Sequence, residues 1–292
     1  MSSADASGAA LAVIGGSGLY RMKDVDIIEE KVVQTPFGEP SDAVMVAELN
    51  GQKLLFLPRH GRGHRIMPGE INYRANICAL KMLGARRIVS ISAVGSMRED
   101  FHPGEIVIVD QFFDRTWGRR GTFFGEGLVG HVPFADPVCN EMAAKLYASA
   151  QELGIKSHMG GTYICIQGPT FSTRAESRIF RQWGVDVIGM TNLPEARLAR
   201  EAEMCYATMA LVTDYDCWRT EEDDVSVESI VETLKKNVSN AQEILRHAAE
   251  NIMKNDDCEC HRALEGVILS DMALVDSKTK QRLKPIAGRV IK

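Results

Sequence analysis

No apolar run in the chain approaches the roughly 20 residues needed to cross a bilayer. The opening residues, MSSADASGAA, have neither a basic start nor a long apolar core. Neither a membrane span nor a secretory leader is therefore expected. Positive charge is also scarce: 34 Lys and Arg against 39 Asp and Glu leave a net charge of −5, which argues against a surface that coats nucleic acid. Seven cysteines in 292 residues form no dense framework and read as reduced thiols of a cytoplasmic protein. Internal repeats and domain linkers are not visible. The loop Gly15-Gly16-Ser17-Gly18 lacks the third glycine and the following helix pattern of a dinucleotide fingerprint.

What is present is a soluble, globular composition, 45% hydrophobic and 25% charged. Residues 1–10 are expected to be disordered, 11–255 to form one domain, and 256–292 an appendage packed on it. Strands are predicted at 11–14, 43–49 and 53–57, the last two joined by the hairpin turn Asn50-Gly51. Further strands are predicted at 87–91, 104–109, 160–167, 185–190 and 207–212. Helical spacing marks 72–83, 140–153, 175–183 and 196–203. A long amphipathic helix carries Val227, Ile230, Val231, Leu234, Val238, Leu245 and Ile252 on one face. The Gly- and Arg-rich excursion 110–131 is long for a structureless loop and predicts a lid or a subunit contact. Alternating strands and helices indicate an α/β fold with a central sheet, and ligands in such folds collect at the carboxyl ends of strands.

Those strand ends carry the chemistry. Thr213-Asp214-Tyr215-Asp216-Cys217-Trp218 closes an apolar strand, and strand periodicity would set Asp214 and Asp216 on one face. Two close carboxylates at a buried strand end resist ionising together, so one retains a proton and can act as an acid. Solvated loop aspartates are the plain alternative. Pro58-Arg59-His60-Gly61-Arg62-Gly63-His64-Arg65 offers guanidinium forks beside glycines, as an anion site needs; a solvated basic loop is its alternative. Ser17 follows another strand as a phosphate cradle or a simple turn. Ser92-Ala93-Val94-Gly95-Ser96 and Thr191-Asn192-Leu193-Pro194-Glu195 repeat the pattern of small and hydroxyl residues after a strand.

Taken together, Val13-Ile-Gly-Gly-Ser-Gly-Leu19, Arg59-His-Gly-Arg-Gly-His64, Ala93-Val-Gly-Ser96, Phe171-Ser-Thr-Arg-Ala-Glu-Ser177 and Thr213–Trp218 resemble the trimeric purine nucleoside phosphorylases, and within them the methylthioadenosine-cleaving branch. The resemblance is collinear from about residue 12 to about residue 245. It implies a mixed central β-sheet flanked by helices and a homotrimer, alone or as a dimer of trimers. It also implies phosphorolysis of methylthioadenosine to adenine and 5-methylthioribose 1-phosphate, a step of methionine and purine salvage. By motif, phosphate would be held by Ser17, Arg59, His60, Ser92, Ala93 and Thr191. Met190 would lie under the sugar, and Phe171 and Ser172 would border the purine. Asp214 would face purine N7, with Asp216 at the 6-amino group. Val227 would read the 5'-substituent, and His131 would reach a neighbouring subunit's site. The implied reaction takes inorganic phosphate as co-substrate, with no cofactor and no metal, and involves neither nucleic acid nor membrane.

Two other functions remain open in the sequence. A phosphorylase of 6-oxopurine nucleosides or methylthioinosine would favour an amide donor where this chain has Asp214. A noncatalytic nucleotide-binding module could use the same fold. Cys258-Glu-Cys260-His261 has the look of half a metal hook, but no second pair lies nearby in sequence. It reads as a reduced surface segment, with pairing to Cys139 or Cys205 as a lesser option. The six basic residues of 278–292 alternate with apolar ones, as in a packed appendage rather than a nucleic-acid arm.

Overall fold

The computed structural model describes residues 10–16, 19, 22, 25–219, 227–254 and 257–291, with side chains of 227–231 excepted. Its elements are β1 (Ala10–Gly15), β2 (Asp26–Lys31), β3 (Val44–Leu49), β4 (Gln52–Pro58), α1 (Tyr73–Met82), β5 (Ala85–Ser96), β6 (Ile106–Val109) and β7 (Gln111–Arg115). They continue as α2 (Asn140–Glu152), β8 (Ser157–Met159), β9 (Thr162–Ile166), α3 (Arg174–Gln182), β10 (Val187–Gly189), α4 (Asn192–Glu201), β11 (Cys205–Asp214), α5 (Val227–Met253) and α6 (Ser277–Ala287).

The eleven strands form one mixed sheet, in agreement with the expected fold class. Its main path runs β2-β3-β4-β1-β5-β10-β9-β7, while β11 pairs with β5 and β6, and β8 with β6. Alternation along the strands places helices on both faces. On β1, Ala10, Ala12 and Ile14 join the core beneath α1, α4 and α6, while Leu11 and Val13 join the core beneath α2 and α5. Along β11, Tyr206, Ala210 and Val212 face the first core, and Ala207, Met209 and Leu211 the second. Asn50 and Gly51, with φ of 51° and 78°, make the predicted β3–β4 turn. Asn72 caps α1 by accepting from the Ala75 N–H at 3.1 Å.

β5 positions the site. This twelve-residue strand pairs in parallel with β11 along one edge from Arg87 to Gly95. β1 and β10 therefore share the other edge: β1 pairs through Ser90, and β10 begins at Gly95 and Ser96. Between them, over residues 91–94, β5 has no strand partner on that edge among the described residues, and a cleft opens.

Several expected boundaries differ. Residues 92–96 continue β5 rather than forming a loop after it. The strand expected at 160–167 is the shorter β9, and an unexpected strand, β8, precedes it across Gly160 and Gly161, at φ of 86° and 133°. They pair with different neighbours, β6 for β8 and β7 and β10 for β9. The excursion 110–131 is not a free lid. It begins with β7, and Phe123 and Leu128 are fully buried in the core. Its Arg119 donates to the carbonyls of Met190, Leu193 and Gln167 at 2.7–2.8 Å. Helix α4 starts at Asn192 rather than Ala196, through a kink at Leu193. At the C-terminus, Leu264, Leu283, Ile286 and Ala287 are buried against the face that holds α1.

Candidate active site

The cleft beside β5 is a cavity of about 390 Å³. Its lining comes from the ends of β1, β4, β5, β10 and β11, from the 166–172 segment, and from Leu234 and Val238 of α5. Arg59, His60, Ser92, Ala93 and Thr191 lie in it, as do Phe171, Ser172, Met190, Asp214 and Asp216. The fold thus gathers ten of the thirteen residues singled out from the sequence. Ser17 lies outside the described residues, although its neighbour Gly16 lines the cavity. Val227 falls at the start of α5, where only the backbone is described. His131 is exposed and is not part of the lining.

One pole of the cavity suits an anion. Arg59 is buried, and its guanidinium donates to both carboxylate oxygens of Glu195, Nε to Oε2 at 2.8 Å and Nη2 to Oε1 at 3.0 Å. It also donates to the carbonyls of Ile91 and Ile14 and to Ser90 Oγ, leaving one Nη1 hydrogen uncommitted to those partners. Burial alone would lower its pKa, but the charge and hydrogen bonds of Glu195 more than offset this and hold it above its ordinary value. Arg59 is therefore oriented by the protein before any ligand arrives. Ser92 Oγ lies 3.2 Å from Thr191 Oγ1 and 3.3 Å from the Tyr163 hydroxyl, a row of donors that can turn toward an anion.

His60 completes this pole. Burial, opposed by the Ile66 carbonyl and reinforced by Arg59, lowers its pKa to about 4. The ring is neutral near neutrality, and its Nδ1–H donates to the Ile66 carbonyl at 2.8 Å. Nε2 is then an acceptor, suited to a protonated phosphate oxygen. His64 stacks on it with ring centroids 4.4 Å apart.

The other pole holds the carboxylates. The strand-face reading of the aspartates needs correction: β11 ends at Asp214, and Asp216 sits in a turn with φ of 52°. The turn closes on Asp214 itself, whose Oδ1 accepts from the Asp216 N–H at 2.8 Å. Burial raises the pKa of Asp214, against hydrogen bonds from Thr213 and the Asp216 backbone. Burial also raises that of Asp216, with the Asp214 charge a smaller contribution and the Ser177 hydroxyl opposing. Desolvation, more than mutual repulsion, favours their protonated forms. Thr213 Oγ1 lies 2.7 Å from Asp214 Oδ2 and 3.2 Å from the Val94 carbonyl. Its single hydrogen can swing to Val94 when Asp214 carries a proton. Gly95 makes room for this acid, since a Cβ there would stand 2.9 Å from Asp214 Oδ1.

Sequence reasoning missed Glu195, Thr213, Ser177 and Tyr163 as supports. Glu195 meets Arg59 across 136 residues of chain, and its only sequence signal is an acidic residue in the first turn of α4. Glu176, part of the resemblance, caps α3: its carboxylate accepts from the Thr173 N–H and hydroxyl at 2.8 and 2.9 Å. The segment at Cys258 is also not a lone surface hook. Cys260 is buried, Cys258 is half-buried, and the fold brings Cys139 and Cys205 beside them.

With this geometry in view, a family profile described as the phosphorylase superfamily matches residues 10–250. The chain belongs to the phosphorylase superfamily. Within the superfamily it is 55% identical to an S-methyl-5'-thioadenosine phosphorylase of Geobacter sulfurreducens, covering 96% of this chain and 99% of that one. It is 51% identical to the enzyme of the same name from Hyperthermus butylicus, covering 89% and 95%. Among solved structures of the superfamily, a methylthioadenosine phosphorylase from an Antarctic soil metagenomic library superposes with a TM-score of 0.92 at 48% identity, covering 96% and 99%. A Schistosoma mansoni adenosine/methylthioadenosine phosphorylase variant in complex with methylthioadenosine gives a TM-score of 0.80 at 38% identity, covering 85% and 93%.

Proposed function

We propose that the chain catalyses phosphorolysis of S-methyl-5'-thioadenosine, releasing adenine and 5-methylthioribose 1-phosphate. The observation that carries this reading is the joining, in one cavity, of an anion pole at Arg59 with two buried carboxylates, Asp214 and Asp216. Inorganic phosphate is the co-substrate. It lies against Arg59, His60, Ser92, Thr191, the Ala93 backbone and Ser17, beside the sugar C1'. As the C1'–N9 bond breaks, its electrons pass to the purine and a phosphate oxygen bonds to C1' from the other side. Asp214 donates its proton to N7, so adenine leaves neutral. General acid assistance of this kind is worth about 10²–10⁴ in rate.

Met190 underlies the sugar, and Phe171 and Ser172 border the purine. Asp216 has one carboxylate oxygen engaged by the Ser177 hydroxyl, and the other accepts from the 6-amino group. When ionised, Asp216 can only accept, which favours a 6-amino over a 6-oxo base, whose acceptor oxygen calls for a donor. Leu234 and Val238 give α5 an apolar wall suited to a methylthio group, with Val227 on the same helix. The reaction requires neither metal nor organic cofactor, and its setting is the cytoplasm. No helix among the described residues is long and apolar enough to cross a membrane.

The active form is a homotrimer in which His131 reaches the neighbouring site. Two observations support this assembly. Phe171 is 75% exposed although it lines the cavity, leaving that side for a neighbour to close. Elsewhere on the surface, the exposed rings of Phe113 and Trp183 meet at 5.4 Å. The test of function is a comparison of methylthioadenosine, adenosine and methylthioinosine with and without phosphate. Fast, phosphate-dependent release of adenine from methylthioadenosine is expected. Release without phosphate, or a preference for methylthioinosine, would reject the reading.

A further inference from the structure

Four cysteines from three parts of the chain converge away from the cavity. Cys139 is the N-cap of α2 and Cys205 is the first residue of β11. Cys258 and Cys260 flank the start of the short turn Glu259–Arg262. Their four sulfurs all lie within 4.8 Å of one another, and Cys139 and Cys258 are 3.8 Å apart. None of the four lines the cavity. We propose that these cysteines form a structural zinc site, which clamps the C-terminal segment to the sheet.

The geometry fits a tetrahedral ion better than paired disulfides. Zinc–thiolate bonds of about 2.3 Å at tetrahedral angles set sulfurs about 3.8 Å apart, whereas a disulfide needs about 2.05 Å. All four thiols lose their protons as they bind, giving a closed set of sulfur ligands with no open position, the pattern of structural rather than catalytic zinc.

The surroundings suit thiolates. Cys139 stands at the positive end of a 13-residue helix. Arg86 Nη2 donates to His261 Nδ1 at 2.9 Å, and since a guanidinium only donates, the neutral His261 ring carries its hydrogen on Nε2. That N–H lies 3.5 Å from Cys205 Sγ and 3.3 Å from the Arg86 carbonyl. A histidine directed at a ligating sulfur is the kind of outer support that tunes metal sites. Cys139, Cys205 and Cys260 are buried and Cys258 is half-buried, so the ion would be shielded from solvent.

The test is the metal content of the full chain, purified with reductant and passed over a chelating resin, then supplied with zinc sulfate. One zinc per chain is expected by mass spectrometry. Cobalt exchanged into the protein is expected to show the strong visible absorption of tetrahedral thiolate coordination. Cys260→Ser is expected to lose the zinc, and the unaltered chain gives a reading that does not depend on that variant folding. A reduced, folded chain that takes up no zinc overturns the proposal. So do full retention in Cys260→Ser and an intact mass showing the four sulfurs already joined in disulfides.

Discussion

Arg59 and Glu195 form a buried, two-pronged ion pair that joins the end of β4 to the first turn of α4. Ser90 and Tyr206 donate to the same carboxylate at 2.8 and 2.9 Å, so the pair is a hub behind the cavity, which Arg59 lines. Glu195 thereby fixes the direction of a guanidinium that lines the cavity.

Removing one partner of such a pair leaves a buried charge uncompensated, at a cost of about 3–5 kcal/mol. Glu195→Gln is expected to lose stability by roughly that amount, and phosphate should restore part of it by supplying the missing negative charge. The thermal shift produced by phosphate should therefore be larger in Glu195→Gln than in the parent. Arg59→Ala should show almost no shift, together with a raised phosphate KM and a nearly unchanged nucleoside KM. Normal phosphate saturation in Arg59→Ala would remove it from the anion site.

The depressed pKa of His60 makes a stability prediction of definite sign. On acidification the unfolded chain takes up this proton near pH 6.5, whereas the folded protein does so only near 4. His60 therefore subtracts stability as the pH falls through that window and has no such effect above it. Denaturant midpoints compared at about pH 7 and about pH 5 should differ less in His60→Gln than in the parent. An equal difference in both would show that His60 is not held neutral.

Sedimentation at assay concentrations should give a single species of three chains. His131→Ala should lower activity without dissociating it. An active, stable monomer would contradict the shared-site account.

Much of the cavity was legible because strand ends announce themselves: apolar runs closed by Arg59-His60 and Asp214 lie where the sheet borders it. What was not legible depends on contacts across long stretches of chain. The branching of the sheet at β5 cannot be read from residues 92–96, which look like a loop until Gly95 and Ser96 are seen to pair with β10. The partnership of Arg59 with Glu195 leaves no local pattern. Nor does the meeting of Cys139 and Cys205 with Cys258 and Cys260. The aspartates were found for an incomplete reason: a left-handed turn at Asp216, not strand periodicity, brings the second beside the first.

If Asp214 supplies the proton to the purine, its substitution by asparagine removes that proton and leaves the shape of the site. Because burial raises the Asp214 pKa, the parent's activity should fall on the alkaline side through a pKa above the ordinary carboxyl range. Asp214→Asn should abolish that limb and cut methylthioadenosine turnover by about 10²–10⁴. The amide can still donate to a 6-oxo group, so methylthioinosine should be relatively less impaired. Mismatched polar groups in such a site cost about 1–3 kcal/mol each. The measurement is the ratio of kcat/KM for methylthioadenosine to that for methylthioinosine in parent and variant. The ratio should fall steeply in Asp214→Asn; an unchanged ratio would show that Asp214 does not protonate the purine.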